Sequence, residues 1–278
     1  MKQAKMVQSE IDQVKTVGKL AEVFKGISSL HIARLKNQTL SSKQFFSDLW
    51  QIYVQLRKEH ALEGLPPKLN RQMFIIITSE GGLSGDIDKK LVDWVLRTYD
   101  PKTTDITVLG HHGALQLAQR GIAVRRYYKV PDTLTNMVDT SPIIKDILPY
   151  ESVKVFYQTY VTLNVQDIAS LDLLTTIKEV DSAKQHNDSF ITTHNYIFEP
   201  SVPAVLTYLE SVMLEVALTQ VILESKLAQS ASRFNAMSAS QEKANDMIGD
   251  LSRLYHRAKR NESDQQIRSV ITGLGLSL

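Results

Sequence analysis

An α/β domain held between two very long helices is the fold class this sequence predicts, and three observations predict it. Residues 2–60 contain no proline and only two glycines, Gly18 and Gly26. Residues 204–272 contain no proline and one glycine, Gly249. Between these flanks, apolar runs alternate with amphipathic stretches, as in a mostly parallel sheet covered by helices. Wholly helical, each flank would reach on the order of 90–100 Å, against ~11–12 residues for a typical globular helix. Helices of that length usually pair with each other.

The N-terminal flank places Val7, Ile11, Val14, Val17, Leu20, Phe24, Ile27 and Leu30 at steps of three or four, which predicts a helical pairing seam. Phe45, Phe46, Leu49, Ile52, Tyr53 and Leu56 extend it, with the polar stretch 37–42 as a point where the helix can bend. Gly64, Pro66 and Pro67 end it, giving an N-terminal helical segment over 1–62.

The middle, 70–200, reads as the α/β domain. Residues 73–78 form a continuous apolar run, the pattern of a buried parallel strand. A turn with Gly81, Gly82 and Gly85 follows, then a helix over 87–99, a strand over 105–109 and a short helix over 114–120. Residues 122–128 predict a third strand, 142–148 another short helix and 153–163 an alternating strand. The polar segment 175–195 reads as loop or edge hairpin, and 196–198 as a last short strand. From 203 to 278 the C-terminal helical segment runs, with Ser201 as N-cap and Pro203 in the first turn. Its predicted apolar stripe is Val205, Leu209, Val212, Val216 and Leu223. Residues 228–244 are dominated by small and polar side chains, which allow close approach of a partner.

Bulk properties limit the function. The 278 residues are 43% hydrophobic, enough for a packed core, and their net charge of +2 is not that of a polycation. Without cysteine there is no disulfide or thiolate chemistry. No uninterrupted apolar run reaches the ~18 residues of a membrane span. The longest approach to one, 202–223, carries Glu210 and Glu215, so attachment to a membrane is expected only through partners.

The strand-to-helix loop 78–86 could cradle a phosphate at a helix N-terminus. It lacks both the G-x-G-x-x-G and the G-K-[ST] patterns, so a structural turn is the preferred reading. Adjacent His111 and His112 do not have metal-pair spacing and read as surface or capping residues. His186 and His194, near Asp181 and Asp188, fit a solvated loop better than a weak metal site. Glu210 and Glu215 need no catalytic explanation. No cofactor, metal or catalytic residue is therefore assigned.

The flanks are mildly basic. Residues 2–36 hold seven Lys/Arg against three Asp/Glu, and 226–268 hold eight against five. Arg253, Arg257, Arg260, Asp264 and Arg268 share one helix face by spacing. A solvated face, a nucleic-acid surface and an acidic protein partner all fit this pattern, though the small net charge of +2 argues against the second.

The motifs along both flanks and the domain resemble the γ subunit of rotary F-type ATP synthases. Asn195-Tyr-Ile-Phe-Glu-Pro-Ser201, Ile222-Leu-Glu-Ser225 and Arg233-Phe-Asn-Ala-Met237 are similar to the family's F-E-P-S, L-L-E-S and A-R-M-x-A-M. Leu254-Tyr-His-Arg-Ala-Lys259 resembles V-Y-N-K-A-R, and Ile267-Arg-Ser-Val-Ile-Thr-Gly273 resembles L-x-E-I-V-x-G. Ile11-Asp-Gln-Val-Lys-Thr-Val-Gly-Lys-Leu20 is similar to I-x-S-V-x-x-T-x-K-I. Ile76-Ile-Thr-Ser-Glu-Gly-Gly-Leu-Ser-Gly85 resembles I-T-S-D-x-G-L-C-G, Leu109-Gly-His-His-Gly113 resembles I-G-x-K-G, and Val153-Lys-Val-Phe-Tyr157 resembles V-x-x-x-Y. The order and spacing of the set carry the match. The chain departs from the pattern at Gly26, Gln229, Glu242, Lys243, Ser263, Asp264 and Gln266.

The resemblance implies a central rotor shaft: an antiparallel coiled coil of the two long helices plus a Rossmann-like α/β domain. The shaft would turn inside a ring of α and β subunits, binding no cofactor and doing no chemistry itself. Its base, with the ε subunit, would rest on the c-ring of the membrane sector at the cytoplasmic face of the cell membrane. Neither nucleic-acid binding nor direct membrane insertion is implied. The face over 228–244 would serve as a bearing surface. Lys19, Lys25, Arg233, Arg253, Arg257, Arg260, Asp264 and Arg268 would make the transient contacts with the α/β ring. A nucleotide-binding α/β enzyme with a coiled-coil arm and a coiled-coil nucleic-acid adaptor are the alternatives.

Overall fold

The computed structural model describes residues 2–59, 69–131, 138–173, 199 and 201–275. In chain order they form α1 (Lys2–Glu59), β1 (Leu69–Ile77), α2 (Ile87–Thr98), β2 (Thr104–Leu109), α3 (His111–Gln119), β3 (Arg126–Tyr128), α4 (Ser141–Ile147), β4 (Tyr150–Tyr160), β5 (Gln166–Asp172) and α5 (Val202–Gly275). The chain divides into two compact units, Met1–Ser28 with Arg233–Leu278, and Ser29–Ser232.

The second unit holds the sheet, in strand order β3-β2-β1-β4-β5. Strands β2 and β4 flank β1 in parallel, and β3 is parallel to β2. Strand β5 runs antiparallel to β4, with Phe156 opposite Ser170, so the sheet is mixed at that edge. β5 has no counterpart among the predicted elements. Gln166–Asp172 carries two aspartates and a weak apolar pattern, and the backbone pairing offered by β4 outweighs its poor propensity.

The alternation along β1 sends its side chains to two cores. Met73, Ile75 and Ile77 join Val153, Val155, Ile143, Ile144 and Ile147 under α5. Phe74 and Ile76 join Leu91, Val92, Val95, Leu117 and Phe156 under α2 and α3. This two-sided burial is why residues 73–77 read as an unbroken apolar run. At the other end of the strands, Tyr150 OH and the Arg71 and Arg125 guanidiniums all donate to Asp105. Burial opposes ionisation there, but the bonds from Tyr150 and Arg71 prevail and hold the Asp105 carboxyl below its ordinary range. Burial and the bond to Asp105 push the Tyr150 phenol up to about 12.

Several boundaries move. The third strand shrinks to Arg126–Tyr128, and α3 begins at His111 rather than Ala114. α1 continues through 37–42 without interruption. The predicted elements at 175–195 and 196–198, with His186, His194, Asp181 and Asp188, lie outside the described residues.

α5 starts where the capping residues place it: the Ser201 carbonyl accepts from Val205 N–H at 3.0 Å, and its Oγ from Ala204 N–H at 3.5 Å. The stripe on its first half overlaps the predicted one only in part: Leu223 is buried and Val205 and Leu209 pack against the core, but the most buried positions lie beside them. Leu206, Met213, Leu214, Ala217, Leu218, Val221 and Ile222 are buried, while Val212 and Val216 are only half-buried. By length and composition α5 contains a stretch that could cross a membrane. In this fold Leu206, Met213, Leu214 and Leu218 of α5 belong to the core against the sheet.

Candidate partner-contact surface

In the first unit α1 and α5 pair side by side. Ala4 N–H donates to Glu262 Oε1 at 3.4 Å, and Lys25 Nζ donates to Gln241 Oε1 at 3.4 Å. As residue numbers rise on one helix they fall on the other, so the pair is antiparallel. Ala4, Val7, Ile11, Val14, Gly18, Ala21, Lys25 and Ser28 are all buried or half-buried. Their steps of three and four make a heptad seam. Across from them Phe234, Met237, Gln241, Ala244, Ile248, Leu251, Tyr255, Ala258 and Glu262 repeat the same steps, all likewise removed from solvent.

The seam corrects the predicted one. It leaves the apolar line after Val14 and follows the small residues Gly18 and Ala21. Val17, Leu20, Phe24 and Ile27, predicted to pair, are instead exposed. Small residues win because they allow two helix backbones to approach closely, which larger side chains at the same positions would prevent.

The predicted contact residues fall into two groups. Lys19, Arg253, Arg257, Arg260, Asp264 and Arg268 are exposed. Arg253 lies 3.8 Å from Asp250 one turn earlier, and Arg260 Nε donates to the His256 carbonyl at 3.4 Å. Lys25 and Arg233 are half-buried. Lys25 sits over the Phe234 ring, 5.6 Å from its centroid, within the helix pair.

The loop 78–86 is a filled turn. Thr78, Ser79 and Ser84 are buried. The N–H groups opening α3 are all directed at this loop: His111 to Glu80 Oε2, His112 to the Ser79 carbonyl, and Gly113 to Thr78 Oγ1 at 2.9 Å. Within the loop itself the Ser79 N–H donates to the Asp88 carboxylate at 3.4 Å, so a buried side-chain anion already occupies part of the anion-favouring start of α2. Gly110 makes the approach possible, since it has φ +98° and a Cβ there would fall 2.1 Å from the Thr78 carbonyl oxygen.

Behind this turn lies a polar chain that sequence reasoning missed. Asp88 is fully buried. It accepts from Ser79 Oγ, from His112 Nδ1 at 2.8 Å and from Gln158 Nε2 at 2.7 Å. Gln158, also fully buried, accepts at Oε1 from Ser225 Oγ and from Gln229 Nε2 at 3.2 Å. The hydrogen bond to Asp88 raises the His112 pKa; burial opposes this, and the carboxylate charge adds to it. Asp88 was legible in principle, because it shares a helix face with Leu91, Val92 and Val95 at i+3, i+4 and i+7. Among the described residues no group of His, Asp and Glu side chains has the makings of a metal site.

The sequence matches the ATP synthase family over residues 3–275. This chain belongs to the ATP synthase family. It is 24% identical over 288 residues to the ATP synthase gamma chain of Geotalea uraniireducens, covering 98% of both chains. It is 27% identical over 284 residues to the gamma chain of Staphylococcus aureus strain JH9, covering 95% of this chain and 96% of the relative. In fold it resembles the rotor of the Euglena gracilis mitochondrial ATP synthase, with TM-score 0.62 at 12% identity, over 93% of this chain and 98% of that one. It also resembles the central stalk of the Tetrahymena thermophila enzyme, with TM-score 0.59 at 16% identity, over 79% and 98%.

For this ATP synthase family chain the expected bearing surface over 228–244 needs correction. Ala228, Gln229, Ser230 and Ala231 are buried within the chain, and Ser232 Oγ donates to the Ser84 carbonyl at 2.6 Å. The close approach that small residues permit is used here by the chain's own β1–α2 loop. Farther along, Ala239, Ser240, Glu242 and Lys243 are exposed. Gln229, a departure from the family pattern, donates inward to Gln158, which a glutamate could not do when ionised.

Proposed function

We propose that this chain is the central shaft, the gamma chain, of an F-type ATP synthase, and that it couples ion-driven rotation to ATP synthesis or hydrolysis. The match spans residues 3–275, and the gamma-chain relatives are covered almost end to end. The observation that carries the mechanical reading is the heptad pairing of α1 with α5 in the first unit. Paired helices resist twisting better than a single one, because each side chain in the seam is seated between residues of the other helix.

The shaft itself is non-catalytic. Its partners are the α and β subunits of the ring, the ε subunit and the c-ring. It is held at the cytoplasmic face of the membrane through the membrane sector. The exposed set Lys19, Arg253, Arg257, Arg260, Asp264 and Arg268 meets the ring, with Lys25 and Arg233 beside the seam in supporting positions. Exposed ion pairs of this kind are worth about 0–1 kcal/mol each, weak enough to break at every step. The filled loop 78–86 disfavours the nucleotide-binding alternative.

Co-purification tests this reading. A tagged chain should bring down two larger subunits, each in excess over it, and the assembly should hydrolyse ATP. A lone chain that binds labelled ATP at micromolar concentration would overturn it.

A further inference from the structure

We infer that the buried Gln158 amide is the centre of a torsional joint that fixes the α/β domain to the long helix α5, with Ser225 and Gln229 as its positioning residues on the helix side. This rests on the shaft reading above and names the residues through which torque passes.

Most of the contact between α5 and the sheet is apolar, through Leu206, Met213, Leu214, Leu218, Val221 and Ile222. Apolar burial is non-directional: it holds the helix on the sheet but resists sliding or turning only through side-chain shape. Hydrogen bonds have preferred angles and lengths and resist both motions. They gather on one stretch of α5. Thr159 Oγ1 donates to Glu224 Oε1 at 2.6 Å, Lys226 Nζ to the Pro131 carbonyl at 2.7 Å, and Ser232 Oγ to the Ser84 carbonyl at 2.6 Å. Ser225 and Gln229, one helical turn apart, both donate to Gln158 Oε1.

The Gln158 bond set differs from its neighbours. Its amide is fully buried and its orientation is decided by chemistry. The carboxylate of Asp88 only accepts, so the NH2 end must face Asp88 and the oxygen must face α5. Asp88 is tied in turn to Ser79 in the loop after β1 and to His112 on α3. The loop after β1, α2, α3 and β4 thus converge on one amide, and that amide grips α5. Away from water, such a chain is stiff and costly to break.

The test uses the assembled complex with its ring fixed to a surface. The chain has no cysteine, so a thiol introduced as Lys102→Cys, at an exposed turn of the α/β domain, labels it at one point with a rotation probe. Angular fluctuations of the resting probe report stiffness. Replacing Ser225→Ala together with Gln229→Met removes both helix donors while leaving Asp88 bonded to Gln158. The angular variance should rise by about twofold or more. Val221→Ala, an apolar deletion on the same helix, should change it far less, and Ser225→Thr, which keeps the hydroxyl, should leave it as in the parent. Should the double variant fail to assemble, the single variants Ser225→Ala and Gln229→Met are held to the same criterion. Variance unchanged in the polar variants, or raised equally by Val221→Ala, overturns the joint. A parent chain that neither joins nor rotates in a ring overturns the shaft reading instead.

Discussion

Gly18 and Ala244 face each other across the helix pair so closely that a Cβ built on Gly18 would lie 3.4 Å from the Ala244 Cβ. That is a van der Waals contact, with room for one methyl group and no more. Glycine in a helix interior costs ~0.8–1.0 kcal/mol relative to alanine. Gly18→Ala should therefore stabilise the chain by up to about 1 kcal/mol, seen as a higher urea midpoint. Gly18→Leu should destabilise it by about 1–3 kcal/mol, because its extra carbons must force the helices apart. A neutral Gly18→Leu would show that the seam does not pass through this position.

Asp88 is the buried group on which most depends. Asp88→Ala strands His112, Gln158 and Ser79 without their shared acceptor. The loss should be about 2–4 kcal/mol, because a buried hydroxyl and a buried amide are left without their acceptor at about 1–3 kcal/mol each. Asp88→Asn keeps the shape and one acceptor oxygen, so it should cost clearly less. Denaturant unfolding of the two variants beside the parent checks the order, and equal stability of all three would contradict the geometry.

The sheet was readable where one physical signal dominated. Residues 73–77 are buried on both faces, so the strand appears as an apolar run, and Ser201 with Pro203 announces the start of α5. The seam was harder. Val17, Leu20, Phe24 and Ile27 have the right spacing and the right chemistry, yet Gly18, Ala21 and Lys25 occupy the interface. Hydropathy favours the larger residues, whereas packing distance favours the smaller, and only the partner helix decides between them. The joint was hidden for another reason. Asp88 alone shows itself, through the apolar helix face it shares with Leu91, Val92 and Val95, but Gln158 and Ser225 lie far from it in sequence and no local pattern joins the three. The exposed arginines of α5 were legible from spacing alone, because a seam of period 3.5 leaves an opposite face.

His112 makes the stability of the sheet unit depend on pH. Its folded pKa is raised, so its contribution is fully present below the ordinary histidine value of ~6.5. The contribution fades as pH rises through the higher folded value. Asp88 faces the ring directly, while Lys89 and Arg120 line the same shallow cleft and oppose its positive charge. Between pH 6 and pH 8 the thermal midpoint should fall more for the parent than for His112→Gln. Parallel profiles would show that the pair does not titrate in this window.

The arginine face of α5 should reveal itself through salt. Arg253, Arg257, Arg260 and Arg268 are exposed and lie away from the seam. Each exposed pair with an acidic ring surface would contribute about 0–1 kcal/mol, so single changes to glutamine should be nearly silent. Replacing all four removes a sum that is measurable at low ionic strength. The Debye length falls from about 30 Å at 0.01 M to about 8 Å at 0.15 M, so the difference from the parent should shrink as salt is added. The measurement is the affinity of the purified chain for the separated ring at both salt concentrations. A fourfold variant that binds like the parent at low salt would move the contact elsewhere. The remaining exposed surface of the first unit includes the apolar line of Val17, Leu20, Phe24 and Ile27, whose contribution would persist at high salt. The salt dependence therefore separates a charged bearing from an apolar one in a single titration.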